Sequence, residues 1–182
     1  MIILGAGGHA SELVTVCARQ FPDAELTLFD DVSTSAPAWA QGLYQVLKSL
    51  REAELLLAED PDFCVAVRLP ASRRLLFQKF AQMGANACTI RAETAVIEDF
   101  CTTIGVGTNI MHHVFVSNRV CIGLGCLLNR ACGIHHGASV GDFCSIGPGA
   151  HILGDVSLGR EVSIGAGAII LPGSTVGEFS AI

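Results

Sequence analysis

Residues 122–158 read IGLGCLLNRACGIHHGASVGDFCSIGPGAHILGDVSL, and the spacing of the aliphatic residues in this stretch decides the fold. An Ile, Leu or Val returns at every sixth position: Ile122, Leu128, Ile134, Val140, Ile146, Ile152, Leu158. The series continues down to Val116, Ile110 and Ile104 and up to Ile164, Ile170, Val176 and Ile182, fourteen positions without an exception. Two residues before each stands a small or β-branched side chain, from Thr102 through Cys126, Cys132 and Cys144 to Ser180. On a strand, residues two apart share a face. Each six-residue unit therefore sends one larger and one smaller side chain inward. Glycine follows the aliphatic residue at Ile104, Ile122, Val140, Leu158 and Val176, a step of 18. Three units thus close one coil, and the coils stack into a triangular prism whose core is completed only by its neighbours. We expect these glycines to serve tight corners that need positive φ.

The segment before the repeat has a different grammar. Met1–Leu4 reads as a strand, the loop Gly5-Ala6-Gly7-Gly8-His9-Ala10 follows, and an apolar-periodic helix runs from Ser11 to about Gln20. Leu26–Phe29 reads as a second strand ending in Asp30-Asp31, Phe63–Val67 as a third, Ser72–Met83 as a helix closed by Gly84, and Ala87–Ile90 as a last short strand. The loop fits G-x-G-x-x-A, which lets a phosphate approach the backbone at a helix N-terminus. An acid at the end of the second strand suits a ribose hydroxyl. A tight turn without a ligand fits the same loop, and so does NAD, although fewer than a hundred residues hold only half a dinucleotide fold. The expected fold class is an α/β, Rossmann-like half-domain over residues 1–90, then an all-β solenoid over 91–182. The series stops part-way through a repeat at Ile182, so we expect a further coil or closing segment beyond it.

Composition narrows the partners. The net charge of −6 argues against nucleic acid and anionic membrane surfaces. No apolar run is long enough for a bilayer, and MIILGAGG lacks the basic start of a signal peptide, so a cytoplasmic protein is expected. The eight cysteines form no CxxC; Cys126, Cys132 and Cys144 fall on inward positions as small fillers.

The hexapeptide pattern resembles the left-handed β-helix of hexapeptide acyltransferases, and the handedness comes from that resemblance. GAGGHA, the LFDD strand end and the following solenoid together resemble the sialic acid O-acetyltransferase NeuD-like family, which includes N-acetyltransferases of UDP-linked 4-amino sugars. The resemblance spans the whole chain and implies an acetyl-CoA-dependent sugar acetyltransferase working as a homotrimer, with no metal. By matching position, Gly7, Gly8 and His9 would line the nucleotide-sugar site, with Asp30 and Asp31 facing the nucleoside. Arg68-Leu69 stands where relatives carry glycine and Asn or Asp, so Arg68 either blocks that pose or binds phosphate itself. LLNRACGIHHGASVGD aligns Asn129 with the family's Asn and His136 with its catalytic base, flanked by His135. Gly137 stands where relatives carry an acid. Another acid, from this chain or a neighbour, has to replace it, or the site runs without one. Asn118 should stack one coil below His136 and Gly154 one coil above. Coenzyme A would lie along the solenoid by Ser145, Gly154 and Ala166.

Two other readings fit part of this pattern. His112, His113, His135 and His136 would suit a zinc site of the γ-carbonic anhydrase kind, although those enzymes lack a glycine-loop domain. Gly137 and the early stop would suit a nucleotide-sugar binding protein with little catalysis.

Overall fold

A computed structural model describes all 182 residues. Five parallel strands open the chain: β1 (Ile2–Leu4), β2 (Thr27–Phe29), β3 (Val46–Leu47), β4 (Asp62–Val65) and β5 (Asn86–Ala87), in spatial order β3-β2-β1-β4-β5. The chain winds outward from β1 to β3, then returns to the other side of β1 to form β4. The C-terminal ends of β1 and β4 therefore flank a topological switch point, where open α/β sheets bind ligands. Helices α1 (Gly8–Gln20), α2 (Leu50–Leu57) and α3 (Pro70–Gln82) cover the sheet. Helix α1 starts three residues earlier than the sequence suggests, directly on the glycine loop. Helix α3 starts two earlier because Pro70 takes its first turn, where a missing N–H costs nothing. Strand β3 and helix α2 were not expected. Helix α2 is begun by a capping box between Ser49 and Glu52.

From Ile90 onward fifteen two-residue strands form three parallel sheets of five, a left-handed β-helix. Ladders such as Asn109–Leu127–Ser145–Ser163 run at the 18-residue step. The first coil is one residue longer: Val96 pairs with Phe115, whereas Thr103 already pairs with Cys121. The sixfold series forms the core, with Val116, Leu128, Ile134, Ile146 and Ile152 fully buried; at the far end Ile182 is exposed. Cys126, Cys132 and Cys144 are buried among them as free thiols.

The corner glycines work differently from the expectation. Gly105, Gly123, Gly141 and Gly159 lack positive φ; a Cβ on any of them would meet the backbone of the next coil at 2.5–2.7 Å. They allow close stacking. The left-handed conformation falls instead on another position of every unit, at Cys101, Gly107, His113, Arg119, Gly125, Ala131, Gly137, Phe143, Gly149, Asp155, Glu161, Gly167, Gly173 and Phe179. Eight of these carry side chains and pay a steric penalty there. Ala131, exposed at φ +58, is the simplest of them. Ala131→Gly should relieve the strain and add about 0.5–1 kcal/mol, raising the melting temperature by roughly 2 °C. A lower melting temperature by calorimetry would count against a strained corner.

The two parts share their cores. Leu13 and Cys17 of α1 cluster with Met111 and Leu127 of the solenoid. Phe77 of α3 meets Phe143 edge-on, with ring centroids 5.4 Å apart.

Candidate active site

A cleft of about 850 Å³ lies at the switch point, lined by Gly5–His9 after β1, Asp30, Ser33, Ser35 and Pro37 after β2, and Ala66–Leu69 after β4. Gly5 turns the chain at φ +111 with Ala66 and Val67 close against it. Gly7 and Gly8 differ: a Cβ on either would meet nothing within 4 Å. Gly7 caps α1 without a side-chain bond, so the first-turn N–H groups face this open space unscreened.

Asp30 lines the cleft and Asp31 does not. Burial pushes the Asp30 carboxyl upward, but hydrogen bonds from Ser33 and Val32 and the Lys48 charge outweigh it and hold it below the usual carboxylate range. His9 is packed between the domains. Burial first, then the Arg73 charge, lower its pKa to about 4, so the ring is neutral near pH 7. Its Nε2 lies 3.5 Å from Asn109 Nδ2, while its Nδ1, 4.0 Å from Glu12, has no hydrogen-bond partner.

The strand end that carries Arg68 is clamped by the solenoid. Asn109 Nδ2 donates to Val65 O at 2.7 Å, and Ser145 Oγ donates to Arg68 O at 2.7 Å. Fully buried Arg73 makes five bonds: to Val67 O and Arg68 O on its own domain, and to Gly125 O, Phe143 O and Cys144 O on the solenoid, at 2.7–2.9 Å. Burial lowers its pKa to about 10, which leaves it charged. The sequence reading missed Arg73, because a charged residue on a helix is expected to face water.

Arg68 lines a second cavity of about 360 Å³ on the solenoid, together with Asn129, Ser145, Gly147, Ser163 and Ala166. Asn129 Oδ1 is taken by the Arg130 N–H at 2.7 Å, which leaves its Nδ2 free to donate. Four of the residues singled out from sequence, Arg68, Asn129, Ser145 and Ala166, therefore come together here.

His136 and Gly154 stand elsewhere, at the next corner of the prism. A Cβ on Gly154 would lie 2.5 Å from His136 Cε1, so the ring rests on that glycine, one coil up. Asn118 lies below, its carbonyl accepting the Gly137 N–H at 3.2 Å, but its amide does not bond the ring. His135 turns onto the neighbouring flat sheet. Its Nε2 is 3.5 Å from His151 Nδ1, and both rings fill the space over Gly133. Burial, then His151 and His136, lower the pKa of His135. Within one chain no three His, Cys, Asp or Glu side chains gather in a way that could hold a metal ion.

A glycine-loop α/β domain, its switch-point cleft beside a left-handed β-helix, defines a two-part hexapeptide-repeat protein. Family models agree: residues 1–80 match the PglD N-terminal domain and residues 137–172 match the bacterial transferase hexapeptide (six repeats). The chain thus joins a segment similar to the PglD N-terminal domain to a segment similar to the bacterial hexapeptide transferases, the pairing that the resemblance to the NeuD-like family implies. A mutant of perosamine N-acetyltransferase from Caulobacter crescentus, in complex with CoA and GDP-perosamine, superposes with a TM-score of 0.84 at 24% identity, covering 99% of this chain and 83% of that one. WeeI from Acinetobacter baumannii gives 0.84 at 23%, with 100% and 90% covered. The acetyltransferase domain of PglB from Neisseria gonorrhoeae, in complex with acetyl coenzyme A, gives 0.76 at 22%, with 99% and 93% covered. At these identities the likeness is one of fold. A search of curated proteins finds no match.

Proposed function

We propose that this protein transfers the acetyl group of acetyl-CoA to an amine on a nucleotide-linked sugar. The observation that carries the reading is the meeting of the two cavities at Arg68, which lines both. The glycine-loop cleft offers free helix N–H groups and an arginine to a diphosphate, with Asp30 and its loop on the nucleoside side. The solenoid cavity offers small residues, Ser145 and Ala166, to the thioester arm. The solved structures with CoA, acetyl-CoA and GDP-perosamine support this pairing of ligands.

The chemistry asks little beyond position and one base. The acceptor amine attacks the thioester carbonyl, a C–N bond forms, and the carbonyl oxygen becomes an oxyanion. His136 accepts the proton from the nitrogen. The C–S bond then breaks, and CoA leaves as the thiol once it receives a proton. A donor such as Asn129 Nδ2 would stabilise the oxyanion. In one chain His136 and Asn129 occupy different corners. The reading therefore requires a second copy that sets its His136 edge against the first copy's cavities, most simply in a homotrimer of prisms. No helix is long and apolar enough to cross a membrane, and we place the reaction in the cytoplasm.

The test supplies acetyl-CoA with GDP-, UDP- and CMP-linked amino sugars and follows free thiol. Binding of a sugar nucleotide without thiol release would leave a binding protein and reject the transferase. Gly7→Val addresses the cleft directly. Its backbone is extended, at φ −79 and ψ −168, and its surroundings are open, so valine fits the fold. It should abolish sugar-nucleotide binding in calorimetry and leave acetyl-CoA binding intact. Equal affinity for the sugar nucleotide in the variant would remove the glycine loop from the site.

A further inference from the structure

We propose that Lys48 is a positioning residue for the nucleoside: its ammonium ties the loop after β2 into the wall on which the nucleoside rests. Asp30, Ser33, Ser35 and Pro37 line that side of the cleft, yet residues 30–37 contain no helix or strand that could pair their backbone groups. A wall of one shape needs other partners for those groups. Two side chains from neighbouring strand ends supply them. Asp30 Oδ1 accepts the N–H of Val32 at 3.2 Å and that of Ser33 at 3.1 Å. Lys48 Nζ donates to Ser33 O at 2.9 Å and to Ser35 O at 3.3 Å, and lies 3.7 Å from Asp30 Oδ2. The pairing of β2 with β3 brings the two side chains together, because Asp30 N–H donates to Leu47 O at 3.0 Å, directly before Lys48.

Lys48 is held in its turn. Its own N–H donates to Glu52 Oε2 at 2.9 Å, the oxygen that also receives the Ser49 N–H at 2.9 Å. The capping box of α2 thus anchors the lysine, and the lysine anchors the loop. An ammonium carries three donors, and here two carbonyls and a carboxylate stand around it. A lysine near a phosphate-binding cleft suggests a phosphate ligand. Lys48, however, does not line the cleft, and its donors are engaged in the wall. Were the loop loose, each nucleoside would have to order it on binding, and that cost would appear as lost affinity. The hold on the loop stands by itself; its value to substrate binding rests on the nucleotide-sugar reading above.

The experiment separates the two. Lys48→Met removes the ammonium, and Lys48→Arg keeps a charge and donors. Hydrogen exchange at the Val32 and Ser33 amides reads the loop in the free protein, and Lys48→Met should speed it on the order of tenfold or more. Calorimetry with UDP, GDP and CMP reads the nucleoside. Whichever nucleotide binds the wild type should bind Lys48→Met about tenfold more weakly, the worth of roughly one hydrogen bond to a charged group. In the thiol-release assay the KM for the sugar nucleotide should rise by the same factor, while kcat and the KM for acetyl-CoA hold. Lys48→Arg should restore most of the affinity. Unchanged exchange overturns the proposal, and so does faster exchange with nucleotide affinity within about twofold of the wild type. A wild type that binds none of the three nucleotides overturns it as well. Weakened nucleotide binding by Lys48→Met, in a protein that releases no thiol with any sugar, supports the Lys48 assignment and rejects the transferase reading instead.

Discussion

His136→Ala is expected to lower acetyl transfer by roughly 10²–10⁴-fold, the usual worth of a positioned base. Acetyl-CoA affinity should change little, because the imidazole stands a corner away from the solenoid cavity. His135→Ala should have the smaller effect. Its ring is engaged with His151 on the flat sheet and points its chemistry away from the His136 corner. Single-turnover rates with saturating acetyl-CoA make the comparison. Near-normal turnover for His136→Ala with a dead His135→Ala would move the base to the sheet face. If both variants turn over normally, the reacting centre lies on neither corner.

The second large effect is structural. Arg73→Met keeps the unbranched stem of the side chain and removes its five donors. Carbonyls at Val67, Arg68, Gly125, Phe143 and Cys144 lose a buried partner, and the expected cost is about 3–5 kcal/mol. Arg73→Lys should recover little, because an ammonium cannot span five acceptors laid out for a planar fork. Urea unfolding measures both. A methionine variant as stable as the wild type would mean that these carbonyls find other donors, and the staple would lose its role. Because Arg73 also fixes the strand end behind Arg68, a folded remnant should bind sugar nucleotides weakly.

The repeat was legible because its periodicity is long and its core has one chemistry per position. Leu128, Ile134 and Ile146 fall inside as the sixfold count requires. The glycine role was misread because two demands, positive φ and coil-to-coil approach, select the same residue, and only coordinates separate Gly123 from Gly137. In the first domain, β3 is two residues long and leaves no alternation to count, but Ser49 and Glu52 ahead of an apolar run did announce α2. The glycine-loop cleft was readable from one short motif. Arg68, Asn129, Ser145 and Ala166 of the second cavity came from the resemblance; the surroundings of the histidines were not readable, because they are assembled from columns. His135 meets His151 across Gly133, a diagonal that the 18-residue step does not trace.

The shared cores have a consequence for how the molecule comes into being. On the ribosome the α/β segment emerges first, and by residue 90 its strands and helices are all synthesised. Yet the side chains that cover α1 and α3, Met111, Leu127 and Phe143, are still to come, as are the carbonyls of Gly125 and Cys144 that receive Arg73. For about three coils of further synthesis the nascent domain carries an uncovered apolar flank and a guanidinium without its acceptors. Its first cover is the growing prism itself. The order of residues along the chain thus makes the later part the chaperone of the earlier one.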